Sequence, residues 1–339
     1  MTQQYAGPAL NDIADLMLTD LDGVAYLGQQ AAPFAAEGIA EAKEHGVHPV
    51  YVTNNSSRPP VKVAEHLTEL GIPTAPEDVI NTAITGVMQV SEQVPAGSKV
   101  LAVGGDGVFE ALREAGFDVV TSADDHPAAV LQGFAEHVSW VELSEIVLAI
   151  RQGAVYVATN LDATMPRERG ETVGNGSLVA AVVNATGVTP LSAGKPAPDM
   201  YQLAVSRTGL TSPIAIGDRL DTDTVGANAA GIISVHVLTG VSQVRDVLLA
   251  EEKSRPRVLA RDLRDLGIAF SEVTKDGESW VCDGASAQVV DQRVIVDGEP
   301  IGVSLTHEQY RAAASAAWDA QDQGIHLDPN LIPGAIAVR

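Results

Sequence analysis

The stretch Thr19-Asp20-Leu21-Asp22-Gly23-Val24 closes an apolar run that begins at Leu16, so two like charges stand one residue apart at the end of what reads as a buried strand. In open parallel sheets, ligands bind at the carboxyl ends of strands. With Asp20 facing such a crevice, strand alternation sends Leu21 away and returns Asp22 to the same side, while Gly23 permits a sharp turn. Two carboxylates sharing one small volume suit a hard cation, and Mg²⁺ takes a few carboxylate oxygens together with waters and substrate phosphate. Taken alone, Asp-x-Asp-Gly is read more simply as an Asp-rich turn that caps the next segment.

Three further stretches add partners. The strand ending at Thr53 is followed by Asn54, Asn55, Ser56, Ser57 and Arg58, small polar groups ahead of a helix, where hydroxyls, amides and helix N-terminal N–H groups suit a phosphate oxygen. In Gly-Lys-Pro-Ala-Pro-Asp-Met-Tyr, Lys195 precedes a helix expected to open over residues 196–198, a place where the helix dipole does not favour a cation and a ligand anion would explain it. The strand Ile214 to Ile216 runs into Gly-Asp-Arg-Leu-Asp-Thr-Asp, which supplies Asp218, Asp221 and Asp223, and a third carboxylate can complete a magnesium site. Each stretch has a plainer reading as a turn, a loop or a helix cap.

The chain around these stretches alternates strand-like and helical runs, which means parallel sheets covered by helices. Gly46, Gly71 and Gly231 stand where left-handed C-caps would end the helices before them. Residues 251–257, Glu-Glu-Lys-Ser-Arg-Pro-Arg, read as a charged connector. Beyond Leu266 short segments with Asp-Gly turn signals precede one helix over residues 305–323, a small α+β unit. At 339 residues, 45% hydrophobic and 19% charged, the chain can bury more than one core. With 44 acidic against 21 basic residues and a formal net charge of −23, it would repel nucleic acid and anionic lipid. No secretory leader or bilayer-length apolar run is read, so a soluble, cytoplasmic protein is expected. The single cysteine, Cys282, excludes an internal disulfide.

Together and in this order, Asp-Leu-Asp-Gly-Val, Val-Thr-Asn-Asn-Ser-Ser-Arg, Gly-Lys-Pro-Ala-Pro-Asp-Met-Tyr and Gly-Asp-Arg-Leu-Asp-Thr-Asp resemble the four motifs of the haloacid dehalogenase superfamily, mostly phosphatases acting through an aspartyl-phosphate. Lys195 follows Thr53 by 142 residues, room for an inserted domain, and that segment looks like the C2 cap of the class IIA branch. The branch includes nucleotide, p-nitrophenyl-phosphate, phosphoglycolate, pyridoxal-phosphate and glycerol-phosphate phosphatases, and the carboxy-terminal tail is similar to that of the bacterial glycerol-3-phosphate phosphatases. The resemblance implies a Rossmann-like α/β core over residues 1–88 and 189–262, a C2 cap over 89–188 and an α+β extension over 263–339. It also implies Asp20 as nucleophile and Asp22 as general acid and base, with Mg²⁺ held by Asp20, Asp22 (through its carbonyl) and Asp218. Thr53, Asn54, Asn55 and Lys195 would bind the phosphoryl group, and Asp223 would position Lys195 or a metal-bound water. In the cap, Asn160, Asp162 and Arg169 would read the leaving group or else form a surface turn. Asp221 receives no role.

Other classes fit less well. Gly105-Asp106-Gly107-Val108-Phe109-Glu110 lacks the third glycine of a nicotinamide-binding loop, and Gly174-Asn175-Gly176 is a similar near miss. A non-catalytic binding protein would not need every reactive residue, and the tail, which resembles a trimmed acetyltransferase-like half domain, lacks a glycine-rich pyrophosphate loop. The expected ligand is a small phosphorylated metabolite. Aromatic residues make up 4% of the chain and none lies between Asn160 and Pro198, which favours a polyol ester such as glycerol 3-phosphate over nucleotides or pyridoxal phosphate, with phosphoglycolate next. The cap and the tail each offer a surface for a homo-oligomer.

Overall fold

A computed structural model describes residues 3–167 and 169–339. The chain forms two compact units, one of Met1–Pro49 with Val205–Arg339 and one of Val50–Ala204.

In the first unit four parallel strands neighbour one another in the order Val258–Ala260, Ile233–Val237, Pro213–Gly217, Leu16–Thr19. Leu16–Thr19 is buried at every position, the pattern of a parallel strand covered on both faces. The register pairs Thr19 with Ile216, and Asp20 N–H continues the ladder to Ile216 O at 2.9 Å. The ends of these two strands therefore bring Asp20 and Asp218 alongside each other. The last expected helix of this region starts as a wide turn over Leu220–Thr224 and continues as Val225–Ala229. Gly231 follows it with φ +73°, and Gly46 has φ +89° after the helix Ala35–Glu44.

The tail folds as expected into an antiparallel sheet and a helix. Five strands, Val273–Asp276, Ser279–Cys282, Ala285–Val290, Arg293–Val296 and Glu299–Pro300, follow one another through two-residue turns. At Asp283-Gly284 and Asp297-Gly298 both residues have positive φ, the geometry that matches strand twist. Asp291-Gln292 adopts the same geometry without glycine, so its turn carried no signal in the sequence. The helix His307–Asp322 opens on a capping box between Thr306 and Gln309, and its residues from Tyr310 to Ala320 are buried on every side. Its alanines let it lie close to the tail sheet and to the short helix Val244–Leu248.

One apolar cluster joins Leu220, Val244, Val247, Leu248 and Leu259 to Cys282, Val294, Tyr310 and Trp318. Tail and strand region thus share a core. The charged stretch 251–257, expected as a connector, runs along this core with Glu251, Glu252, Lys253 and Arg257 exposed and only Arg255 and Pro256 buried. Arg255 is 2% exposed, donates from Nε to Ala250 O at 3.1 Å and from Nη1 to Asp322 at 2.7 Å, and lies over the Trp318 ring. Burial of this guanidinium is offset by its bonds to the Ala250 carbonyl and the Asp322 carboxylate. The amino-terminal residues are stitched to the same helix: Gln4 Nε2 donates to Arg311 O, Arg311 Nη2 donates to Tyr5 O, and Gly7 bridges Phe270.

The second unit holds a five-stranded parallel sheet in the order Leu191–Ser192, Val155–Ala158, Ala129–Gln132, Lys99–Val103, Asp118–Val120. Two apolar clusters cover its faces, one built on Thr82–Gln93 and Asp106–Glu114, the other on Trp140–Arg151 and Asn175–Thr186. The strand His48–Thr53 enters this unit and pairs in parallel with Val79–Asn81, the helix Pro60–Glu69 connecting them. The two glycine-rich near misses have packing roles. A Cβ on Gly107 would collide with Ser56 O, and one on Gly176 with Leu161 O, so each glycine lets a loop approach a helix start. No helix among the described residues is long and apolar enough to cross a membrane.

Trp318 is fully buried and donates Nε1–H to Val247 O at 2.8 Å. Trp318→Ala should destabilise the protein by about 3 to 5 kcal/mol through cavity formation, read as a lowered midpoint in denaturant unfolding; a change below about 1 kcal/mol would show that the tail does not share the core.

Candidate active site

The site residues named from the sequence fall into two groups, one in each unit. In the first, Asp20, Asp218 and Asp223 are all buried, and one carboxylate atom from each lies within 4.8 Å of the others. Main-chain glycines make the crowding possible. A Cβ on Gly23 or Gly240 would run into the Asp218 carboxylate, and one on Gly217 into Asp223. Asp223 Oδ2 accepts Arg219 N–H at 3.2 Å, and Asp218 Oδ2 accepts Val241 N–H at 2.6 Å. Three buried acidic oxygens this close together are a donor set that suits a hard divalent cation. Asp22 is exposed on the turn after Asp20, and its carboxylate is not one of the three. Asp223, expected from the resemblance as a positioning group, does lie in the cluster.

Asp221 finds its explanation here. Arg219 grips it with two hydrogen bonds, Nε to Oδ1 at 3.1 Å and Nη2 to Oδ2 at 2.9 Å. Partial burial pushes the Asp221 pKa up, but these bonds and the guanidinium charge outweigh it and hold the carboxyl below its usual value. Across the sheet His236 is fully buried, its Nε2 lies 3.2 Å from Asp218 O, and burial lowers its pKa to about 4.

In the second unit the strand end at Thr53 is tied to two distant loops through Asn54. Its Nδ2 donates to both Asp162 oxygens at 3.3 and 3.1 Å and to Lys195 O at 3.2 Å, and its Oδ1 accepts Lys195 N–H at 2.8 Å. Its carbonyl accepts from Asn160 Nδ2 and from Thr82 Oγ1, each at 2.7 Å. Asn54 is thus a brace for the cluster, a part that residue type and position alone did not reveal. Asn160 Oδ1 accepts Asp162 N–H at 3.2 Å, and Asn175 Nδ2 donates to Asn160 O at 2.9 Å. Thr53 Oγ1 accepts Asn55 N–H, while Asn55 Oδ1 accepts from Ser57 N–H and Oγ, which shapes the turn. Lys195 is 4% exposed and its Nζ donates to Val52 O at 3.0 Å. The helix beyond it starts at Asp199, not at residues 196–198, because a residue preceding proline avoids the α region. Arg169 sits exposed at the turn of the hairpin Thr164–Arg167/Gly170–Val173, outside this hydrogen-bonded cluster.

Residues 17–118 match the family model of haloacid dehalogenase-like hydrolases, and residues 192–266 match a second model of the same group. A D-glycerol 3-phosphate phosphatase of Mycobacterium tuberculosis is 38% identical over 320 residues, 93% of this chain and 89% of that protein. The chain belongs to the haloacid dehalogenase-like hydrolases. An acid sugar phosphatase of Staphylococcus aureus is 37% identical over 260 residues, 76% of this chain and 97% of that one. Among solved structures of this hydrolase family, the glycerol phosphate phosphatase of Mycobacterium tuberculosis in complex with magnesium superposes with a TM-score of 0.82 at 38% identity, covering 93% of each chain. Its complex with calcium gives 0.83 at 36% identity, covering 97% of this chain and 94% of that one. As a member of the phosphatase branch of these hydrolases, the chain is a phosphoric monoester hydrolase.

Asn54→Ala removes the amide that links Asp162 and Lys195. It should lower kcat/KM by at least about 100-fold, since misplacing transition-state contacts by an ångström costs that much, with far-ultraviolet circular dichroism unchanged; activity within about twofold of wild type would remove Asn54 as the brace.

Proposed function

We propose that the protein is a magnesium-dependent phosphatase that hydrolyses a small phosphate monoester, glycerol 3-phosphate foremost, through an aspartyl-phosphate. The observation that carries this reading is the buried trio Asp20, Asp218 and Asp223, the first two at the ends of adjacent parallel strands and the third in the turn Leu220–Thr224. Similarity to the mycobacterial D-glycerol 3-phosphate phosphatase along nearly the whole chain, tail included, supports the substrate.

Asp20 is the nucleophile: its carboxylate oxygen bonds to phosphorus as the ester oxygen departs. Asp22, on the exposed turn, gives that oxygen its proton and then takes one from the water that attacks the aspartyl-phosphate. Asp20, Asp218 and the Asp22 carbonyl are assigned to Mg²⁺, and Asp223, within the same cluster, orients Asp218 or joins them. When bound, the ion offsets negative charge so that an anion can attack an anion. Thr53, the Asn54–Asn55 turn and Lys195 hold the phosphoryl oxygens, the buried ammonium supplying charge where solvent screening is weak. Asn160, Asp162 and Arg169 are the side chains available to the leaving group; Asp162 is already oriented by Asn54. We assign residues 1–88 and 189–262 to the catalytic core, 89–188 to a C2 cap and 263–339 to the extension; four strands of the second unit's five-stranded sheet lie within the cap bounds, its edge strand Leu191–Ser192 lies just past them, and the tail sheet begins at Val273. A cytoplasmic enzyme without nucleic-acid partners fits the charge of −23, and assembly into a homo-oligomer belongs to the same reading.

A second reading, hydrolysis of sugar phosphates, draws support from the staphylococcal acid sugar phosphatase at 37% identity. One assay with Mg²⁺ separates the readings by comparing glycerol 3-phosphate, phosphoglycolate, sugar phosphates, pyridoxal phosphate and uridine monophosphate. Glycerol 3-phosphate should have the highest kcat/KM. Ethyl phosphate should fall to roughly a tenth to a hundredth of it, as a hydroxyl-directed hydrogen bond is lost. Preference for pyridoxal phosphate or uridine monophosphate would overturn the substrate and leave the chemistry. Asp20→Asn should abolish turnover, EDTA should silence the enzyme and Ca²⁺ should inhibit it; full activity in EDTA would remove the metal.

A further inference from the structure

The loop Thr239-Gly240-Val241-Ser242 follows the strand Ile233–Val237 and has no part in the four motifs. Its groups nevertheless converge on the acidic cluster. Val241 N–H donates to Asp218 Oδ2 at 2.6 Å and Ser242 N–H to Asp218 O at 3.1 Å. The Thr239 hydroxyl donates to Gly23 O at 2.6 Å, on the turn that follows the nucleophile, and Ser242 Oγ accepts Leu220 N–H at 3.2 Å. The Val241 side chain is 56% exposed, so its backbone donor is the part that bears on the cluster. Gly240 permits the approach, since any Cβ there would overlap the Asp218 carboxylate.

The loop is held in turn. Gln243 Nε2 donates to Gly240 O at 2.6 Å, and Gln243 caps the helix Val244–Leu248, with Asp246 Oδ2 accepting Gln243 N–H at 2.8 Å. The tail helix fastens the far end of that short helix: Trp318 Nε1–H donates to Val247 O and Gln321 Nε2 to Leu248 O, each at 2.8 Å.

We propose that Thr239–Gln243 is a clamp that orients Asp218 for its metal, and that the C-terminal helix stiffens this clamp through Val244–Leu248. The proposal rests on the reading of Asp218 as a metal ligand. A short hydrogen bond to one carboxylate oxygen fixes rotation about Cβ–Cγ, and outer partners of this kind tune metal affinity. The extension then acts on the metal site without touching it, as a set of positioning residues.

The test is titration calorimetry of Mg²⁺ into the full-length protein, with circular dichroism to show the folded fraction. Gly240→Ala should weaken Mg²⁺ binding by about 10- to 100-fold, and Gln243→Ala and Trp318→Phe, which act at greater distance, by about 10-fold or less but measurably. Raising Mg²⁺ should restore kcat in all three, which a general loss of structure would not allow. Wild-type binding that Gly240→Ala and Gln243→Ala leave unchanged would overturn the clamp alone. Weakening by those two but not by Trp318→Phe would overturn the part given to the tail. A wild-type protein that binds no Mg²⁺ would overturn the metal reading and the clamp with it.

Discussion

Three buried carboxylates held within 4.8 Å of one another set the terms for the first unit. Two full charges at that separation repel by about 3 to 4 kcal/mol at an effective dielectric of about 20, and no packing of apolar groups removes that repulsion. The fold meets it with local positive potential. Backbone N–H groups of Arg219 and Val241 point at two of the carboxylates, and glycines at positions 23, 217 and 240 clear the space for them. A divalent cation held by the same oxygens would offset the repulsion further. The parallel sheet matters because it delivers Asp20 and Asp218 from neighbouring strand ends with a fixed register.

The second unit solves the complementary problem with neutral groups. Asn54 uses its amide and its carbonyl to join a strand end, the Asn160–Asp162 loop and Lys195, three segments far apart in the chain. An amide can do this because it presents donor and acceptor in one rigid plane. A carboxylate there would offer no donor to Asp162. Within this unit, Lys195 is placed by its backbone as much as by its own side chain.

Much of the first unit was legible because its signals are local. An apolar run that ends in Asp20, another that ends in Asp218, and glycines after helices need only a few residues each to be read, and the strand over Leu16–Thr19 has the expected span. The tail hairpins announced themselves where Asp-Gly occupies the turn, and Asp291-Gln292 did not because residues other than glycine can adopt positive φ once the strands impose it. Long-range pairings were hidden. Nothing near Asn54 shows that its partner is Asp162, and nothing near Arg255 shows that this one residue of a largely exposed connector is buried against Asp322 and the Trp318 ring. The glycines at 105 and 107 illustrate the opposite failure, a pattern that suggests a cofactor loop yet serves the contact of one loop with one helix.

The stitching of Gln4 and Tyr5 to Arg311 bears on how the chain is made. A ribosome releases the strand Leu16–Thr19 well before it has translated the helix His307–Asp322, and Gln4 waits for a partner 307 positions further along the chain. Residues 50–204 form a compact unit of continuous chain and can fold in that interval. The first unit is closed by contacts of very high sequence separation, which favours slow assembly. Until the helix His307–Asp322 is made, those contacts cannot form, and apolar segments such as Leu16–Leu18 are open to aggregation and to chaperone capture.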